Sequence, residues 1–207
     1  MPRPFAVEPK RPPMGLRPGT LYLSWISMNA VALTLAALIG GAVGAPLMAA
    51  HTETGFALGV LVGGAIMGLL QWVVLRKKFP AVRWRAWVGA CVATGALVAA
   101  WLAAGAVVHA EKIPLLTWLA LLGLATGFFQ WLILRRHAAR AAWWITLNAL
   151  AAPAGFGAFL LIVLLSGQQP AVALLIGLAC AGATAAAIHG IALTWILQPL
   201  PRTRGGN

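Results

Sequence analysis

Three polar residues stand at equal intervals along an apolar chain: Gln71, Gln130 and His189, each 59 positions after the one before. Their side chains are neutral hydrogen-bond donors and acceptors, and the histidine is also a base and a metal ligand. Each ends a stripe of small residues. Gly64, Gly68 and Gln71 follow the i, i+4, i+7 spacing of one helix face, and Gly123, Gly127 and Gln130 repeat it. Gly182, Ala186 and His189 form a third, altered copy. Glycine on such a face lets another backbone approach, and an amide on the same face can bond across to it. Asn29, four residues after Trp25, and Asn148, five after Trp143, fall at a comparable depth. Two uses follow for Gln71, Gln130, His189, Asn29 and Asn148. They can bond to one another as glue between helices, or hold the headgroup of a small amphipathic ligand (a lipid, an isoprenoid, a quinone or a pigment). His189 adds a sharper option, axial ligation of the metal of a haem or chlorin; no other cofactor or metal is expected.

Enzyme chemistry finds few parts. The only acids are Glu8, Glu53 and Glu111, none inside an apolar run. Ser24, Ser27 and Ser166 have no evident base, and no Glu-x-x-His or Ser/His/Asp pattern occurs. The expectation is a protein without catalytic activity of its own.

The elements that must position these residues are set by composition. With 207 residues, 61% hydrophobic and 9% charged, and a mean hydropathy of +0.89, the chain is too apolar for a soluble domain. Its apolar runs reach the roughly 20 residues that carry a helix across about 30 Å of hydrocarbon. The spacing predicts six transmembrane helices over about 21–49, 55–76, 84–108, 114–135, 142–166 and 171–197. With short loops these pair into three consecutive hairpins, over about 21–79, 80–138 and 139–198. Parallel repeats of this kind are related by a pseudo-threefold axis along the membrane normal. If the three even helices meet at that axis, Gln71, Gln130 and His189 come together. The stripe could equally face the odd helix of its own hairpin. Pro153, followed by Gly155 and Gly157, predicts a kink in the fifth helix. Residues 1–20, with six prolines and four cations, read as a disordered cytoplasmic tail, and 199–207 as a second one.

The net charge of +12 raises the question of nucleic acid, but the cations lie in short clusters between apolar runs. Fourteen of the fifteen Lys and Arg residues fall on one side, with Lys112 alone opposite. By the positive-inside rule both termini are then cytoplasmic. Arg76 and Arg135 read as topology determinants that can meet anionic headgroups. Trp25, Trp72, Trp84, Trp131 and Trp143 fall near the same boundary, as an aromatic belt would. Trp101 lies deeper and is expected to face lipid or a partner, while Cys91 and Cys180 are expected to pack as small apolar groups.

The motif Gln71-Trp72-Val73-Val74-Leu75-Arg76, returning as Gln130-Trp131-Leu132-Ile133-Leu134-Arg135, resembles the repeats of bacterial multipass membrane proteins of no known activity. The third copy departs from it at His189-Gly190. That resemblance implies a bacterial inner membrane and transfers no site residues. In outline, three two-helix repeats are also similar to mitochondrial carriers, whose Pro-x-acidic-x-x-basic signature is absent from every repeat here. The expected role is a structural or accessory subunit of a membrane complex, or a homo-oligomer, in contact with lipid and not with nucleic acid. A carrier or binder of a small amphipathic ligand, in a shallow site open toward the cytoplasmic leaflet, is the alternative. A small-solute transporter comes third, since its pathway would need polar groups through the midplane.

Overall fold

The computed structural model describes residues 17–48, 51–103, 115–166 and 170–199. The chain is helical, in the order α1 (Pro18–Met48), α2 (Thr52–Leu75), α3 (Trp84–Ala103), α4 (Leu115–Leu134), α5 (Trp143–Leu165) and α6 (Pro170–Ile191). Such runs become helices because apolar side chains leave the backbone no partner in hydrocarbon except itself. Pro18 and Pro170 open their helices, where a missing N–H is harmless. Past Ile191 the backbone widens into a π-helical turn, Ala192–Ile196. Five helices are long and apolar enough to cross a membrane: α1, α2, α4, α5, and α6 with its π turn. The twenty-residue α3, which carries Arg85 and three tryptophans, is not among them.

The boundaries differ from the sequence expectation at the starts of α1 and of α2, the latter beginning at Thr52 rather than 55. Residues 18–20, assigned to the tail, already belong to α1. The rest of that tail (1–16), positions 104–108 of the third segment and residues 200–207 lie outside the described residues. Helix α5 runs continuously through Pro153.

The helices pack in a closed ring, each against its chain neighbours and α6 back onto α1. Glycine makes the seams. Between α1 and α2, a Cβ added at Gly40 or Gly44 would fall 2.5 Å from the carbonyl oxygen of Gly59 or Gly55. The glycines of the Gly64/Gly68 stripe pack on the following helix, α3, rather than on their own hairpin partner. A Cβ at Gly64 would lie 2.9 Å from the Cys91 carbonyl oxygen, and one at Gly68 would lie 2.9 Å from the Val88 Cα. On α4, Gly123 presses on the Asn148 carbonyl, and a Cβ at Gly127 would lie 2.8 Å from the Ile145 Cα of α5. On α6, a Cβ at Gly182 would lie 2.6 Å from the Asn29 carbonyl oxygen of α1. Among the described residues the α3–α4 seam is the thinnest. There Trp101 packs on Trp118 rather than standing free.

One end of the ring carries Arg76, Lys77, Lys78, Arg83 and Arg85 around the α2–α3 link and Arg135, Arg136 and Arg140 around the α4–α5 link. These links interlock with the end of α6. Strand β1 (Ala138–Ala139) pairs antiparallel with β2 (Gln198–Pro199). Lys78 Nζ donates to the carbonyl oxygens of Leu193 and of Thr194, the latter at 3.3 Å. A cation on the last carbonyls complements the negative end of the helix dipole, although burial pushes the Lys78 ammonium below its ordinary pKa range.

Three outcomes test this packing. Gly68→Leu or Gly127→Leu should force the helices apart and destabilise the protein in detergent by about 3 kcal/mol or more. By contrast Gly89→Ala, with nothing within 4 Å of the new Cβ, should melt at the wild-type temperature or slightly above it. Lys78→Met should lower the melting temperature through loss of roughly 1 kcal/mol of cap interaction.

Candidate functional site

The Gln-Trp-x-x-Leu-Arg motif divides its side chains among three environments. Gln71 and Gln130 point inward, 8% and 2% exposed. Leu75 and Leu134, four residues on, also point inward and are fully buried toward the basic end. Trp72 and Trp131 lie on the flank, half-buried, with Arg76 and Arg135 over their rings at 4.8 and 5.0 Å. Trp72 further donates to the Val82 carbonyl at 2.9 Å. In the third copy Gly190 replaces the tryptophan, and the ring of Tyr22 occupies that space, its hydroxyl donating to the Ala187 carbonyl at 3.3 Å. Leu193 keeps the inward position and is fully buried.

The inward amides form a connected layer. Gln71 Nε2 donates to Asn29 Oδ1 at 2.8 Å, and Gln130 Nε2 donates to Gln71 Oε1 at 3.3 Å. Gln130 Oε1 accepts from Trp144 Nε1 at 2.7 Å. Cys91 joins from α3, its thiol 3.9 Å from Gln71 Oε1 and its sulfur accepting from Gln130 Nε2 at 3.4 Å. Asn29 and Asn148 each use Nδ2 on the carbonyl four residues earlier, Trp25 and Trp144 respectively. Symmetry alone would pair the three even-helix residues alike, and this does not happen. Gln71 bonds to Asn29 and Gln130 reaches Cys91, but among the described residues no hydrogen bond joins His189 to Asn148. His189 instead stacks on Trp144, with ring centroids 5.4 Å apart, and its Nε2 is buried without a partner.

The tryptophans obey a different register from the 59-residue step. Trp84 and Trp143, which share that register with Trp25, are exposed, whereas Trp25, Trp87 and Trp144 are fully buried. These three stack edge to face around Trp144, at 5.9 Å from Trp25 and 6.1 Å from Trp87. Trp25 is therefore an interior residue rather than a lipid-facing anchor. Each of the three stands four positions before a member of the polar layer: Asn29, Cys91 and Asn148. Cys91, Trp87 and Trp144 were the members that sequence reasoning missed, the thiol being read as packing and the two tryptophans as part of the aromatic belt. The shared Trp-x-x-x-(Asn/Cys) spacing was the available signal, masked because Trp84 and Trp143 sit so near it.

Beyond the polar layer lies a cavity of about 650 Å³ lined by all six helices. Every lining residue lies at the layer or on the side away from the basic links, from Asn29 to Ala36 on α1 and from Gln71 to Val60 on α2. The eleven residues of α2 between those limits correspond to a depth of about 16 Å at 1.5 Å per residue. Thr94 and Thr126 line it, but their hydroxyls bond to Ala90 and Leu122 on their own helices. The wall is thus apolar, with polar groups at one end only. The placement corrects the sequence expectation of a shallow site open to the basic side. There the tryptophan triad, then Leu75, Leu134, Leu193 and Leu197, close the ring. Among the described residues no cluster of three metal-ligating side chains occurs.

Removing one partner should expose the strength of the layer. Gln71→Leu leaves Asn29 Oδ1 without its partner and Gln130 Nε2 with only the Cys91 sulfur, and should destabilise by about 1–2 kcal/mol in detergent melts. Trp144→Phe, which strands Gln130 Oε1, should cost at least as much.

Comparison with protein families, curated proteins and solved structures finds no match for this chain.

Proposed function

We propose that this protein binds a small amphipathic molecule between its helices, with the apolar body in the cavity and the head against the polar layer. The observation that carries this reading is the cavity. The cavity measures about 650 Å³ and is lined by side chains from all six helices. An apolar wall does not hold ordered water, whereas an apolar molecule restores the missing dispersion contacts. The volume and the single polar end also match ordinary ligand sites. A pigment whose metal takes His189 is one member of this ligand class, and quinones and isoprenoids are others. The role is binding or carriage, without catalysis.

The proposed setting is a bacterial inner membrane, with both termini and the basic links in the cytoplasm and anionic lipid against Arg76 and Arg135. The one-sided cations support that orientation. We read α3 as a sixth span, and the six helices as three hairpins about a pseudo-threefold axis. Support comes from the recurrence of one contact, a glycine against the carbonyl of Cys91, Asn148 or Asn29. A second reading, a structural or accessory subunit, is favoured by the mutual satisfaction of Asn29, Gln71, Gln130 and Trp144, as interhelical glue requires. Small-solute transport would need the Trp25, Trp87 and Trp144 triad to move.

The test is purification in mild detergent, with absorbance spectra and mass spectrometry of everything that co-elutes. The wild type should carry about one amphipathic molecule per chain. Leu122→Trp, which fills the cavity from α4, should stay folded and lose it. A bare wild type whose melting is unaffected by Leu122→Trp would sink the binding reading, and stoichiometric protein partners in its place would favour the accessory subunit.

A further inference from the structure

Resting on the cavity reading, we propose that the head of the bound molecule is a single neutral hydroxyl seated between His189 and Asn148. The ligand class is then an uncharged lipid alcohol. Most amide groups of the layer are already engaged. Asn29 uses Nδ2 on Trp25 and Oδ1 on Gln71. Gln71 and Gln130 are bonded through both ends of their amides. In the first two hairpins the even-helix residue reaches its odd-helix counterpart, Gln71 to Asn29 and Gln130 to Cys91. The third pair is open. Asn148 has committed Nδ2 to the Trp144 carbonyl, and its Oδ1 receives no hydrogen bond from the described residues. His189 Nε2 is buried and unpartnered, and the ring is held flat against Trp144. Both residues line the cavity.

A buried imidazole nitrogen and a free amide oxygen require a partner. The imidazole can supply one N–H and one lone pair, and the amide oxygen only accepts. A hydroxyl satisfies both at once, accepting from the histidine and donating to Asn148 Oδ1. A carbonyl could use only the histidine. A carboxylate or phosphate would find no Lys or Arg in the cavity and would have to take its counter-charge from His189, a buried ion pair whose desolvation is costly. The volume holds roughly twenty water-sized groups at about 30 Å³ each, enough for an isoprenoid chain of similar carbon count.

The experiment compares four probes sharing one isoprenoid chain of about twenty carbons: the alcohol, its methyl ether, the matching ketone and the acid. Binding to the full-length protein in detergent is read by equilibrium dialysis. The alcohol should bind at least about tenfold tighter than each of the others. His189→Leu should collapse that preference to within about twofold. His189→Gln guards against a mere folding defect, because it installs the residue of the first two hairpins. Its amide can close the gap to Asn148, so it should melt no lower than wild type and still lose the preference. Equal binding of all four, abolished by Leu122→Trp, would leave the cavity reading standing and overturn the hydroxyl assignment. A preference for the ketone or the acid would overturn it too. Failure of every probe to bind, together with a bare wild type on purification, would remove the cavity reading itself.

Discussion

The distance between helix backbones is the constraint on which the rest of this structure depends. In hydrocarbon there is little hydrophobic force to draw helices together, so association rests on close packing and on the polar bonds that closeness allows. Here closeness is set by glycine. Gly64, Gly123 and Gly182 each bring their helix against the carbonyl of a residue in the polar layer, Cys91, Asn148 or Asn29. Because those contacts lie beside Gln71, Gln130 and His189, backbone spacing and side-chain spacing are fixed together. A helix moved out by a methyl group or more would stretch the 2.8 Å bond between Gln71 and Asn29 and the 2.7 Å bond between Trp144 and Gln130.

Two halves of the ring interior follow from that spacing. Toward the basic end it is filled by large side chains, Trp25, Trp87 and Trp144 and then Leu75, Leu134, Leu193 and Leu197, all essentially without exposure. Toward the other end many inward positions are small, including Gly63, Ala151, Thr126 and Ala185, with Phe156 and Phe159 the only aromatic rings there among the described lining residues. Six helices in a ring leave an axial space, and residues this small do not fill it. The boundary between filled and unfilled halves is the polar layer, so among the described residues the side-chain amides and the imidazole of the cavity sit at one end, while the Thr94 and Thr126 hydroxyls are spent on their own helices.

The altered third copy shows how the ring tolerates loss of symmetry. Where glycine replaces the motif tryptophan at position 190, Tyr22 of α1 fills the gap. Where threonine replaces the arginine at position 194, the helix relaxes into a π turn, and Lys78 from the first link binds its carbonyls. Only the replacement of glutamine by His189 is left without compensation among the described residues. Repair at positions 190 and 194 makes the uncompensated His189 a candidate for function rather than simple decay.

Much of this was legible in the residues themselves. Apolar run lengths gave helices, and the stripes of Gly64, Gly68 and Gln71 and of Gly123, Gly127 and Gln130 gave inward faces, because helical periodicity is local and survives in one dimension. The burial of Gln71, Gln130, Asn29 and Asn148 was read from the same pattern. Three things were decided only by tertiary structure. The first is which helix each stripe meets, since α2 has glycine on two faces and local spacing does not choose between α1 and α3. The second is the tryptophan register, since Trp84 and Trp87, or Trp143 and Trp144, differ by less than a helical turn and only packing selects the inward one. The third is the cavity. A void is a property of what surrounding side chains fail to fill, and it depends on the ring diameter set jointly by all six helices, which no single stretch of sequence contains.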